Sequence, residues 1–109
     1  MSDMWSYNAH MPVGLQIERL YWDEWNIDHI AKHDVMSEEA EEVVAGDPVV
    51  RATYKQRFQL IGPSLSNRIL SVNVGQVPGY PSIYYVFSAR PASRKERRFY
   101  AEQKEGRIT

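Results

Sequence analysis

Hydrophobic and polar positions change their period along the chain, and each change marks an element. Residues 1–14 show no period and end in Pro12 and Gly14, which reads as a flexible arm before one domain spanning residues 15–109. The run LQIERLYW, from Leu15 to Trp22, is apolar and aromatic enough for a strand. Asp23 then caps a helix over about residues 24–33. Trp25, Ile27 and Ile30 stand among its polar positions, and Lys32 and His33 sit near its negative end. Ser37 caps a second helix with Glu38 and Glu39 in its first turn. Ala40, Val43 and Val44 share one face of it, and Gly46 and Pro48 stop it.

After Pro48 the period falls to two. Tyr54, Gln56, Phe58 and Leu60 alternate with Lys55, Arg57, Gln59 and Ile61 in a strand with two bases on one face. Gly62–Asn67 is a loop, and Arg68–Val74 a further strand with Leu70, Val72 and Val74 on one side. Gly75–Pro81, with its two glycines and two prolines, reads as a loop longer than a tight hairpin needs. Strict alternation over Ser82–Arg90 puts Ile83, Tyr85 and Phe87 on one face and Tyr84, Val86, Ser88 and Arg90 on the other. Ser93 and Glu96 form a capping box for a closing helix. The expected fold class is α+β: a first strand, two helices, an antiparallel meander sheet and a C-terminal helix.

A chain of 109 residues that is 43% hydrophobic and 25% charged is expected to form one globular domain. Its net charge of −1 conceals a division. Residues 1–50 hold eleven acids and two bases, a net −9, while residues 51–109 hold eleven bases and three acids, a net +8. The absence of cysteine excludes disulfides, thiolate zinc sites and a cysteine nucleophile. No apolar run approaches the roughly 18 residues that span a bilayer, and the N-terminus lacks the basic and apolar pattern of a signal peptide. A cytoplasmic protein without a membrane partner is the expectation.

Chemical motifs are sparse in the acidic half. His29 and His33 have the four-residue spacing of a helical metal pair, but Ile30 stands where a metalloprotease needs Glu, and no third ligand is evident; no metal or other cofactor is expected. Glu38, Glu39, Glu41 and Glu42 read as a solvated helix face. The basic half is more informative. Lys55, Arg57, Arg68, Arg90, Arg94, Lys95, Arg97 and Arg98 come from separate elements that an antiparallel sheet gathers, and Tyr54, Tyr84, Tyr85 and Tyr100 lie between them. Basic groups with interleaved aromatics suit single-stranded RNA.

Three segments, YWDEWNIDHIAKHDVMSEEAEEVVAGDP, YKQRFQLIG and SARPASRKERRFY, resemble the BrnT family of toxins from type II toxin-antitoxin systems. The likeness runs from Tyr21 to Tyr100 and is sharpest at Trp22 and Asp23, at Lys32–Val35 with Glu39 and Ala40, and at Ser88–Arg90 with Ala92, Glu96, Arg97 and Tyr100. It implies a RelE-like fold, metal-independent RNA cleavage that arrests translation, and a BrnA-like antitoxin through which alone the toxin meets operator DNA. Where the family usually carries Lys and Asn in the first helix, this chain has Trp25 and His29, and Tyr54, Lys55 and Gln56 replace an acidic stretch before Arg57. These departures motivate an alternative: an interaction module of the same fold that binds an antitoxin-type partner without cutting RNA.

Metal-free cleavage of RNA requires deprotonation of a 2′-hydroxyl, stabilisation of charge at phosphorus and protonation of the leaving oxygen. Arg57 and Arg90 are assigned to the scissile phosphate, since guanidinium binds such oxygens in pairs and is a poor base. Tyr100, Lys55 and His33 are the candidates for proton transfer, His33 with a structural role at its helix end as the competing reading. Trp22 and Tyr84 are assigned to RNA bases, Trp22 with a place in the core as its alternative. Arg97 and Arg98 point about 100° apart on their helix, so only one can face RNA or antitoxin, and Arg97 is taken as that one.

Overall fold

Asn26 is the residue on which the first part of the fold turns. The computed structural model describes residues 15–108, so the arm assigned to residues 1–14 lies outside the described residues. Strand β1 (Arg19–Tyr21) leads through Asp23 into helix α1 (Glu24–Ala31). The Asp23 carboxylate accepts from the Asn26 amide at 2.9 Å, and Asn26 Oδ1 accepts from the Asp23 amide at 2.8 Å. This is a capping box with Asn in the place usually held by Glu. Completely buried, the Asn26 side chain also donates from Nδ2 to the carbonyls of Tyr21 and Val86. One amide thus ties β1, the start of α1 and a strand 60 residues distant.

Helix α2 (Ser37–Ala45) follows, then strands β2 (Val49–Ala52), β3 (Arg57–Pro63), β4 (Ile69–Val77) and β5 (Tyr80–Pro91), and helix α3 (Arg94–Ile108). The sheet has five strands in the order β1-β5-β4-β3-β2. It is mixed: β1 runs parallel to β5, while β2 to β5 form the expected antiparallel meander. The two helices between β1 and the meander act as its crossover, which is what parallel neighbours require.

Several local expectations are corrected. The first strand is only three residues long. The single strand expected over residues 54–61 is the end of a hairpin, because Tyr54–Gln56 form a turn in which Lys55 and Gln56 have φ of 42° and 61°. Thr53 and Arg57 close that turn through a 2.9 Å backbone bond. The long loop at residues 75–81 is instead a two-residue turn, with Val77 opposite Tyr80 and Pro78–Gly79 between them. Pro fixes its φ near −65°, and Gly79 takes a φ of 85°, a pairing of residue types that lets the chain reverse in two residues. Ser37 is the first helical residue of α2, and Met36 occupies the cap position, its amide donating to Glu39.

One face of the sheet supplies the main core. Leu60, Val72, Val74 and Val86 are fully buried there against Ile30 of α1 and Ala40, Val43 and Val44 of α2. Burial of such aliphatic side chains contributes roughly 1.5–3 kcal/mol each before entropy is set against it. On the opposite face, α3 packs over β2 and β3, and Val49 and Ile61 are buried outside the main cluster. The acidic helices therefore occupy one side, and Arg51, Arg57 and Arg90 face the other, whereas Arg68, expected among them, turns to the acidic side. Three ion pairs cross between the halves, Arg68 with Asp34, Arg68 with Glu39, and Lys104 with Asp47. No helix among the described residues is long and apolar enough to cross a membrane.

Candidate functional site

The face that α1 and α2 leave uncovered carries the candidate site, and a β-bulge decides which residues appear on it. Between β4 and β5 the register shifts at Asn73/Val74: Asn73 pairs with Ser88, but Val74 pairs with Val86. Phe87 is the extra residue. Alternation is interrupted there, so Tyr85, Phe87, Ser88 and Arg90 all project to the open face, while Tyr84, Val86 and Ala89 turn to the core. Strict alternation had separated Arg90 from Tyr85; the bulge unites them.

Arg57 of β3 lies over the Phe87 ring, its guanidinium carbon 3.9 Å from the centroid. That arrangement depends on Gly75, which faces both. A Cβ at position 75 would stand 2.6 Å from Phe87 Cε2 and 3.3 Å from Arg57 Cγ. Here the glycine serves close approach of a ring to the backbone. Phe87 contacts Tyr85 (5.2 Å between centroids), and Tyr85 contacts Tyr21 of β1 (5.8 Å), giving a row of three rings that ends at a cation. The Tyr85 hydroxyl donates to both carboxylate oxygens of Asp23 at 3.1 Å. Burial, then that hydrogen bond and the Asp23 charge, raise the Tyr85 pKa above 10.0, so the phenol is a held donor rather than a base. Asn73 and Ser88 lie on the same face, joined by a 3.1 Å bond from Nδ2 to Oγ.

The other end of the face is a closed polar network under α3. Arg90 makes a two-pronged pair with Glu96, 2.8 Å at each contact. Glu96 also receives Gln59 Nε2 at 2.9 Å and the Ser93 amide at 2.9 Å, while Ser93 Oγ accepts from the Glu96 amide. Gln59 donates further to Ser71 and accepts from Arg51, whose guanidinium lies over Phe99. The expected capping role of Glu96 is therefore half of its work; it also fastens α3 to β5 and β3. Arg90 above all, with further help from the Ser93 amide and Gln59, holds the Glu96 carboxyl at about 2 against an ordinary 4.5, in opposition to burial. Glu96 in turn raises the Arg90 pKa.

This pair has a measurable consequence. Glu96 binds its proton more weakly when folded than when unfolded, so its contribution is complete above pH 4.5 and is lost as pH falls toward about 2. Glu96→Gln is expected to flatten the acid limb of the stability curve in that window. Denaturant melts at a series of pH values would show it; an unchanged acid limb would mean that the pair does not form.

The other residues assigned from sequence are dispersed. Tyr84 is 5% exposed and packs edge-on against Phe58 in the core, with its pKa raised by burial, so it cannot meet a base. Alternation carries it to the helix side. Trp22 packs against the core and donates from Nε1 to Glu41 of α2, which fulfils its alternative reading. His33 follows α1, edge-on to His29 at 5.8 Å, and α1 packs on the covered side of the sheet, so its acid-base assignment is not supported by position. No group of three or more His, Asp or Glu suited to a metal occurs among the described residues. Lys55 sits on the exposed β2–β3 turn beside Tyr54, two residues before Arg57. Tyr100 lies on α3 near Lys104, which bonds Asp47, and Arg97 donates to the Ala92 carbonyl at 2.9 Å.

Sequence reasoning missed Tyr21, Asn73, Gly75, Tyr85, Phe87 and Ser88 as members of one site. A glycine in the middle of a strand was the available signal, since it marks a bulge or a close approach.

The sequence matches no protein-family model and no curated protein. Among solved structures, the chain is similar to the ribonuclease toxin BrnT of Brucella abortus. Identity is 26% and the TM-score 0.56, over 70% of this chain and 97% of that one. The likeness is one of architecture and superfamily: a RelE-like α+β fold, with two helices after the first strand and one at the C-terminus.

Proposed function

We propose that this chain is a toxin-type ribonuclease that binds single-stranded RNA across the open sheet face and cuts it without a metal ion. The observation that carries this is the bulge-dependent assembly of Arg57, Phe87, Tyr85, Asn73 and Ser88 on one accessible face, with the acidic helices on the other side. Arg57 is exposed and free of any carboxylate contact among the described residues, so its fork is available to phosphate oxygens. Tyr85, kept protonated and bonded to Asp23, adds its ring to the row beside Phe87, and Lys55 on the adjoining turn is the nearest candidate in sequence for proton transfer. The Brucella protein is a ribonuclease toxin, which supports the reading, and a protein antitoxin of the BrnA type would act by covering this face. The arm-plus-domain division at residue 15 and a cytoplasmic setting belong to the same proposal.

The purified chain should cleave a fluorescent single-stranded RNA in the presence of EDTA, and its expression alone should slow bacterial growth and degrade RNA. A folded chain that produces neither effect would end the toxin reading.

A second reading has its own observation. Arg90, one of the two arginines assigned to phosphate, is held by Glu96 in a two-pronged pair, which suits a face that binds RNA or an antitoxin-type partner without cutting. Binding of RNA or antitoxin without cleavage would select it.

A further inference from the structure

Beyond Tyr21 the row of rings does not end at a wall but opens into a groove of about 430 Å³ along the edge of the sheet, lined by Arg19, Tyr21, Val77, Tyr80 and Ile83. We propose that this groove is a second nucleotide subsite, taking one unpaired base of the same RNA strand that crosses Arg57, with Arg19 on its phosphate. The inference rests on the RNA-binding reading of the open face and names where the strand continues.

Register places the groove on that same face. Ile83 pairs with Arg19, and Tyr85 pairs with Tyr21 and lies opposite Gly75. Tyr21 is therefore shared: it closes the ring row through Tyr85 and forms one side of the groove. The second register shift, at Gln76/Val77, makes the space, because Val77 pairs with Tyr80 while Gln76 pairs with Tyr84, leaving residues 81–83 of β5 without direct partners on β4. Tyr80 is anchored by the two-residue turn at Pro78–Gly79, which fixes where it departs from the sheet. Tyr21 and Tyr80 are 50% and 58% exposed, so both rings are open to a ligand.

The chemistry of the lining selects the occupant. Two exposed phenol rings with Ile83 and Val77 offer apolar stacking area, which every base can use because every base has a π-face. A cationic side chain at each end of the path, Arg19 here and Arg57 at the far end of the ring row, follows a phosphate backbone. A protein strand added along β1 would need the edge backbone and would make no use of the ring row or its terminal arginine.

Binding of non-cleavable 2′-O-methyl RNA to the full chain tests this, using a trinucleotide, which covers the Arg57 end only, and a heptanucleotide, which reaches the groove. Tyr80→Ala and Arg19→Ala should each weaken the heptanucleotide, Tyr80→Ala by about 5- to 150-fold, the usual range for one stacked base, and leave the trinucleotide unchanged. Tyr80→Phe, which keeps the ring, should bind as the parent does. Arg57→Ala should weaken both. If Arg57→Ala weakens both oligonucleotides while Tyr80→Ala weakens neither, the subsite is refuted and the open-face reading stands; a groove reserved for a protein segment would give that same result. If the parent chain binds neither, the open-face reading has failed and the subsite fails with it.

Discussion

Arg57→Ala should lower the rate of RNA cleavage by about 10²–10³, the loss that accompanies removal of one donor aimed at developing charge. Stability should change little, since the side chain is exposed and gives up only a cation–π contact with Phe87 worth about 0.5–1 kcal/mol. Gly75→Ala provides a separate route to the same defect. Its Cβ would intrude on Phe87 at 2.6 Å, so the ring must leave the sheet and Arg57 loses its platform while keeping its charge. Arg90→Ala should behave in the opposite way: it removes the countercharge of the Glu96 carboxylate, so the folded state suffers more than the phosphate site. Initial rates on a fluorescent RNA, read alongside melting curves for all three variants, distinguish these outcomes. Cleavage at the parent rate by Arg57→Ala would place the phosphate site elsewhere.

Asn26→Ala should be the most destabilising single change of a polar residue. The truncation leaves the Tyr21 and Val86 carbonyls and the Asp23 amide without their partner in a site that is 0% exposed. Each stranded group costs roughly 1–3 kcal/mol, so a loss of at least about 3 kcal/mol is expected. For a domain of this size that corresponds to a fall in Tm of at least about 12 °C. Asn26→Asp should be no better, because a carboxylate oxygen would replace the donor that faces two carbonyls. Function would suffer too, since the β1–α1 junction holds Tyr21 and the Asp23 carboxylate against Tyr85. A melting shift of only a few degrees would show that water replaces the amide and that the junction is less dependent on it than the geometry indicates.

Much of the fold was legible because its signals are local. Asp23 and the Ser93/Glu96 box cap their helices as read, since capping involves residues three apart. The Ala40, Val43 and Val44 stripe faces the core because helical period alone sets it. The meander was recognised for the same reason, with its errors at turns: φ values above zero at Lys55 and Gln56 cannot be inferred from residues that rarely adopt them.

The site was less legible. Residue types single out its bases and rings, but an unbroken period of two through β5 puts Tyr84 on the face of Arg90 and Phe87 on the other. One extra residue inverts every face assignment beyond it, and whether a strand holds an extra residue is decided by its partner. Arg90 shows the same limit in electrostatics: its charge is plain in the sequence, but its partner Glu96 becomes a partner only when α3 folds back over the sheet.

The sequence by itself determined the α+β class, the caps of α1 and α3, the core stripe of α2 and the division into an acidic half of −9 and a basic half of +8. Each depends on residue types and spacings within one or two turns or strands. The tertiary structure decided that the acidic helices lie on one side of the sheet, that Arg57 stays open while Arg90 is neutralised, and that the rings from Tyr21 to Phe87 form one row. Those outcomes depend on register and on the bulge opposite Asn73 and Val74, which are properties of two strands meeting and are written in neither one alone.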